Sequence, residues 1–217
     1  MDRPTPHKRK PTHRDARATR QRLQRAALEL FASAGYRGAT TPALARAAGV
    51  AEGTIYRHFT GKQHLYNVVY QATQAWATDL VAEVGRDNRQ DARRRLDRVA
   101  RRLTESAARD PAAVQMLLAR PSPDLLDQTS REAADRFHTA VERIVAEGKS
   151  AGVVRAGPAD LWATVWLEVV ALALHRITRQ EWQPDSPHTR QTLEAAWAAI
   201  AGPNGAASDQ LPPGGPA

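Results

Sequence analysis

One glycine, Gly49, set between two short helical patterns, constrains this chain more than any other feature. Upstream of it, Thr41 followed by Pro42 is a helix start, a hydroxyl N-cap with proline at the first helical position. The spacing predicts a helix over 42–48 that buries Leu44, Ala45 and Ala48, whose small side chains allow close packing. Gly49 supplies the sharp turn, and Val50 fills the space between the two helices. Downstream, a helix over about 52–59 turns Ile55 and Phe59, four apart, toward the core. Gly53, Thr54, Tyr56, Arg57 and His58 are then left facing away, and core packing calls for none of them. A longer helix precedes the pair, with Leu23, Ala27, Leu30, Phe31 and Ala34 at helical intervals and Gly35 just past its end as a left-handed terminator. The whole is a helix-turn-helix, an arrangement suited to placing its second helix in the major groove of DNA.

The run TTPALARAAGVAEGTIYRHFTGKQHL resembles the DNA-binding domain of the TetR family of bacterial transcriptional regulators. The resemblance implies that Thr41, Tyr56, His58 and Lys62 contact phosphates. It also implies that Arg37, Pro42, Glu52, Gly53, Thr54 and Arg57 face the groove and its bases. Arg57 has the chemistry of a base reader, because a guanidinium can bridge guanine O6 and N7. Gly53 lets the helix backbone approach closely, since no side chain intervenes. One position departs from the family pattern: Ala51 stands where Ser or Thr commonly caps the recognition helix, a loss of about 1 kcal/mol. Glu52 is unfavourable beside phosphates unless it accepts from a cytosine amino group.

Charge falls in the same region. Residues 1–66 hold 13 Lys and Arg against 4 Asp and Glu, a net of +9, whereas residues 67–217 hold 18 against 19, a net of −1. Nine of those bases lie in the first 25 residues with only two acids, an electrostatic footprint for a polyanion. The prolines of this arm and its poverty in apolar residues predict disorder over 1–14. No apolar run follows it and it has no broad apolar face, so neither a secretory signal nor a membrane-surface helix is expected. A purely solubilising tail is the other reading of such a charge run.

The remaining chain is rich in Ala, Leu, Arg and Glu and poor in alternating β-branched runs, which predicts an all-α body. The absence of cysteine excludes a disulfide framework and thiol chemistry and suits a cytoplasmic protein. A fourth helix from about Gln63 carries Leu65, Val69, Ala72, Trp76, Leu80 and Val84, and Gly85 closes it. It begins in the DNA-binding unit and ends in the larger body, so it is the natural lever between them. A fifth runs over about 91–108 with Leu96, Val99 and Leu103 inward and Arg93, Arg94, Arg95, Arg98, Arg101 and Arg102 as solvated faces. Asp110 before Pro111 starts a sixth, a seventh spans about 123–151, Gly157 and Pro158 open the eighth, and a ninth covers about 187–201.

Helix eight breaks the amphipathic pattern. Residues 161–174 contain only Thr164 and Glu168 as polar residues, yet fourteen residues fall short of the roughly 20 that span a membrane. A helix apolar on nearly every side is buried on nearly every side, which in a chain of this size calls for a partner subunit. The TetR resemblance implies the same, a four-helix bundle of the last two helices with their symmetry mates, and a body that binds small-molecule inducers. The candidate ligand contacts are Trp76, Met116, Phe137, His138, Trp162, Trp166, Glu168 and His175. Each of these aromatics also fits a core or dimer position, and Glu168 also fits an ion pair with an arginine. No P-loop, GxGxxG or GxSxG motif is present, and His58 and His64 are six apart rather than at the i, i+4 spacing of a helical metal site. No catalytic residue, metal or cofactor is therefore expected.

The sequence reads as all-α with about nine helices: a disordered basic arm over 1–14, a helix-turn-helix domain over 15–66, a helical ligand-binding and dimerisation body over 67–201 and a disordered tail over 202–217. The function expected is that of a cytoplasmic repressor, a homodimer on a palindromic operator in double-stranded DNA. A small hydrophobic or cationic ligand releases it, and no membrane is involved. The other reading is a non-inducible or architectural DNA-binding dimer whose body only dimerises.

Overall fold

Helix α1 (His13–Gly38) is two helical stretches joined at Gly35, whose left-handed φ of 68° ends the first, as the sequence suggested, and is open to glycine at no steric cost. The computed structural model describes residues 13–85 and 91–206. Helix α1 starts at His13, inside the arm expected over 1–14, and residues 1–12 lie outside the described part. Its buried face is Leu23, Ala26, Ala27 and Phe31, while Leu30 is half-buried and Ala34, expected inward, is exposed in the turn before the kink.

Helix α2 (Thr41–Ala47) is capped one residue earlier than the sequence suggested. Thr40 is the extended residue, and its hydroxyl accepts from the Ala43 N–H at 3.3 Å, so Thr41 is already helical. Gly49 turns the chain with a φ of 64°. A 3₁₀ turn (Glu52–Thr54) then leads into α3 (Ile55–His58), and Ala51 offers no side-chain cap, as its methyl dictates. Leu44, Ala45, Ala48, Ile55 and Phe59 are all buried.

Helix α4 (Lys62–Gly85) runs through the division of the chain into two units, which falls between Val69 and Tyr70. Its buried face is Leu65, Tyr66, Val69, Tyr70, Ala77, Leu80, Val81 and Val84. Ala72 is exposed and Trp76 only half-buried, so the stripe lies about one residue round from the one inferred.

The second unit is built from the later part of α4 with α5 (Ala92–Arg109), α6 (Pro111–Leu117), α7 (Gln128–Ser150), α8 (Ala159–Thr178), α9 (Pro187–Ile200) and α10 (Pro203–Ala206). Asp91, Asp110, Asp127 and Ser186 cap α5, α6, α7 and α9 through their side-chain oxygens. The expected long seventh helix divides: Pro123–Leu125 is a separate 3₁₀ turn, and the Asp127 cap restarts the chain as α7. Helix α8 packs against α5, α6, α7 and α9, burying Trp166, Val170, Ala173, Leu174 and Ile177. At 20 residues it is long and apolar enough by composition to cross a membrane, but one face forms the middle of this core.

Two expectations in the body change. Arg95 is not on a solvated face but 6% exposed and paired with Glu147, because its position on α5 faces α7. The segment over 202–217 opens with structure: the Gly202 N–H donates to the Val153 carbonyl at 2.8 Å, and α10 follows. Residues 207–217 lie outside the described part.

Candidate nucleic-acid interface and ligand cavity

The helix-turn-helix core fixes which side chains are left over. Leu44, Ala45, Ile55 and Phe59 occupy the inner faces, so Glu52, Gly53, Tyr56 and Arg57 are exposed, Tyr56 at 57%. Arg57 makes no hydrogen bond or ion pair among the described residues, and its guanidinium is available to a partner. A Cβ added at Gly53 meets nothing within 4 Å, and its φ is not left-handed, so neither packing nor backbone geometry requires glycine there. Arg37 and Pro42 are also exposed, and Thr41, Thr54 and His58 are partly so.

Two cations hold the reader in place. Arg20 donates to the His58 carbonyl at 2.7 Å, and its guanidinium lies 4.4 Å from the Phe59 ring centroid. This satisfies a carbonyl at the C-terminal end of α3 while capping the ring that anchors it. Lys62 donates to the Tyr36 carbonyl at 2.9 Å and sits 4.2 Å from the Tyr36 ring centroid. One ammonium proton is thus committed inside the protein and two remain for a phosphate. Tyr36 and Phe31 meet Tyr66 edge-on, with centroids 5.4 and 5.0 Å apart, which ties the end of α1 to the first turns of α4. His64 is turned away from a recognition role, its Nδ1 accepting from the Thr60 N–H at 3.1 Å.

The second unit contains a cavity of about 360 Å³ that is partly open to solvent. Of the expected ligand contacts, Phe137, His138 and Glu168 line it. Trp76, Met116, Trp162, Trp166 and His175 are not on its wall. Met116 and Trp166 are core, Trp76 packs against the core, His175 is exposed, and the Trp162 indole donates to the Ala156 carbonyl at 3.1 Å. Glu168 pairs with Arg120 across the rim, and the His138 ring shares a hydrogen bond with the Thr164 hydroxyl at 2.9 Å. The wall also carries Tyr70, Gln74, Arg120 and Asp135, none of which sequence reasoning singled out. Tyr70 and Gln74 are one helical turn apart on α4 and share a side-chain hydrogen bond. Burial pushes the Tyr70 phenol above its ordinary value, against the hydrogen bond from Gln74 and the charge of Arg120, so it is neutral at physiological pH. Among the described residues no group of three or more His, Asp or Glu is placed to hold a metal.

The model of the bacterial regulatory proteins of the tetR family matches residues 23–69. The uncharacterized HTH-type transcriptional regulator TtgW of Pseudomonas putida is 43% identical over 63 residues, 29% of this chain and 47% of that protein. The HTH-type transcriptional regulator SrpR, also of Pseudomonas putida, is likewise 43% identical over 63 residues, 29% of this chain and 30% of its own length. The chain thus spans about half or less of the length of these curated relatives. Over the whole fold, a TetR family transcription regulator from Marinobacter aquaeolei VT8 superposes with a TM-score of 0.74 at 17% identity, covering 88% of this chain and all of the other. FadR from Bacillus subtilis, solved in complex with stearoyl-CoA, gives 0.69 at 20% identity over 83% of this chain and 98% of that one. The helix-turn-helix over residues 23–69 is thus similar in sequence to that of the bacterial regulatory proteins of the tetR family, and the all-α fold of the chain is that of solved TetR family regulators.

Proposed function

We infer that this protein is a sequence-specific transcriptional repressor that binds a palindromic operator as a homodimer and leaves it when a small molecule occupies the cavity of its second unit. The observation that carries the DNA-binding reading is the outward set Glu52–Arg57. Apart from the buried Ile55, the side chains of Glu52, Tyr56 and Arg57 are exposed, and Gly53 is required by neither sterics nor φ. A glycine that folding does not need is suited to a backbone that must approach a phosphate or base edge. In this reading Arg57 bridges a guanine, Tyr56 and Lys62 hold phosphates, and Glu52 accepts from a cytosine amino group.

Dimerisation is supported by α8. Leu161 and Leu172 are 46% and 48% exposed, and they fall with Val165 and Glu168 on one helical stripe. A second copy covering that stripe places two recognition helices to read half-sites about 34 Å apart. Induction is supported by the cavity, whose volume of about 360 Å³ is in the range that holds small molecules. FadR of Bacillus subtilis, similar in fold, was solved with stearoyl-CoA, so a body of this architecture can hold a small ligand. A ligand that prefers the DNA-incompetent arrangement 100-fold shifts the balance by about 2.7 kcal/mol.

The test is selection of bound fragments from the native genome by the purified protein, followed by titration of the recovered site. A palindrome bound by two chains and released by an added ligand is the expected result. Binding that is blind to sequence, or a site that no cavity ligand ever releases, leaves the architectural or non-inducible reading instead.

A further inference from the structure

The cavity wall contains one polar atom that the protein leaves unsatisfied. Gln74 is 3% exposed, yet its Oε1 has no hydrogen-bond partner among the described residues, although the same side chain is held by Tyr70. A buried acceptor without a donor costs free energy, so such atoms are rare and call for a reason. Gln74 is on the wall of the cavity, where a bound molecule can supply the missing donor. The charged groups on the same wall are Asp135 and Glu168 against Arg120, one more acid than base, and Arg120 is already paired with Glu168. Arg120 and, more weakly, Asp135 act electrostatically on the Tyr70 hydroxyl beside Gln74, and of the two only Asp135 has no ion-pair partner among the described residues. Leu103, Phe137, Leu167 and Val170 supply an apolar remainder.

We propose that the cavity takes an apolar amine, seated with its N–H on Gln74 Oε1, its positive charge toward Asp135 and its hydrocarbon body against Phe137 and Leu167. The chemistry selects against a carboxylate in the same seat, because an anion brings an acceptor to an acceptor and a negative charge to a wall with an acidic excess. An ammonium meets both needs at once, with a charge-assisted hydrogen bond stronger than a neutral one. This deepens the ligand-binding half of the proposed function and rests on that reading of the cavity. It makes no use of the DNA-binding half.

The experiment compares four probes that share one apolar body: 1-naphthylmethylamine, 1-naphthylmethanol, 1-methylnaphthalene and 1-naphthoic acid, each titrated into the full chain by calorimetry at pH 7. The expected order is amine tightest, then alcohol, then hydrocarbon, with the acid weakest. Gln74→Leu is expected to weaken the amine about tenfold or more while leaving 1-methylnaphthalene unchanged or tighter. Gln74→Glu, which keeps the shape and turns the acceptor into a carboxylate, is expected to tighten the amine and further exclude the acid. The wild-type order stands as a test even where either variant fails to fold. An acid that binds as well as the amine overturns the proposal, as does the absence of binding by all four at millimolar concentration. A Gln74→Leu effect equal across the probes overturns it too. The operator titration is run in parallel: an amine held by Gln74 that leaves DNA affinity unchanged defeats the inducible reading and leaves this assignment standing.

Discussion

Arg20 separates two roles that a basic residue near DNA can have. Counted by charge alone it belongs to the basic arm, but its guanidinium is spent on the His58 carbonyl and the Phe59 ring. Replacing it by alanine removes a charge-assisted hydrogen bond to a part-buried carbonyl, about 1–2 kcal/mol after allowing for solvent at that site. It also removes a cation–π contact of about 0.5–1 kcal/mol. Together they amount to roughly 2 kcal/mol, all of it at the C-terminal end of a four-residue helix with no side-chain cap at its start. Arg20→Ala is therefore expected to lower the melting temperature of the N-terminal unit by several degrees. Operator affinity should fall by up to about thirtyfold through a loosened reader, since 1.4 kcal/mol is a factor of ten. Fluorescence anisotropy across a salt titration discriminates. A clamp lost from inside the protein leaves the slope of log Kd against log salt unchanged, whereas a lost phosphate contact lowers it by about one. An unchanged melting temperature with a slope reduced by one refutes the clamp.

Arg57→Ala should lose about 1–3 kcal/mol on the operator and relax preference at one base position, and equal losses on every sequence in a binding-site selection contradict base reading. Leu172→Glu, on the exposed stripe of α8, should convert dimers to monomers in sedimentation at micromolar concentration, and an unaltered dimer places the interface elsewhere. Gly148→Ala brings a methyl within 2.6 Å of the Ala92 Cβ and 2.8 Å of the Val154 Cγ2. Overpacking of about 1–3 kcal/mol should outweigh the helical gain of up to about 1 kcal/mol, so calorimetry that finds the variant more stable is the contrary result. Asp127 is held below its ordinary value because hydrogen bonds from Ser130 and Gln71 and the charge of Arg131 outweigh desolvation, the largest single contribution, which acts the other way. Its stabilisation is therefore present above the unfolded Asp pKa and is lost as pH falls through the lower folded one. Asp127→Ala should cost about 1 kcal/mol at pH 7 and nothing once the carboxylate is protonated, and a pH-independent deficit in urea melts argues against the cap.

The punctuation of this chain was legible because each mark has a local physical cause. Gly35 and Gly49 adopt left-handed φ, Asp91 and Asp110 accept the first free N–H groups of their helices, and Pro111 and Pro187 stand where no N–H is needed. Thr40 and Thr41 show where such reasoning stops: both have the hydroxyl, and only the extended backbone at Thr40 decides which one caps. Arg95 was misread because an arginine run looks uniformly solvated until α7 supplies Glu147 opposite one of its members. Trp166 and Trp162 drew attention as ligand residues because large aromatics dominate any list of apolar contacts, yet a large side chain fills space rather than leaving it. A cavity is where packing fails to close, which no single segment encodes. Its one sequence trace was Gln74, a polar residue at a position on α4 where period 3.6 calls for an apolar one, between Tyr70 and Ala77.

Helix α4 contributes residues to both units, its first turns to the first and the later part to the second. Its first residue, Lys62, holds Tyr36, and Tyr66 packs edge-on against Phe31 and Tyr36 within the helix-turn-helix unit. Eight residues further, about 12 Å along the same helix, Gln74 stands on the cavity wall. A ligand can shift the position of α4 only if its contact with Gln74 is better in one position than in another, since equal binding to both moves nothing. An orphaned buried acceptor meets that requirement directly. In the unliganded chain Gln74 Oε1 has no hydrogen-bond partner among the described residues, and a ligand with a donor fixed in the cavity gains its hydrogen bond only in the position that brings the two within about 3 Å.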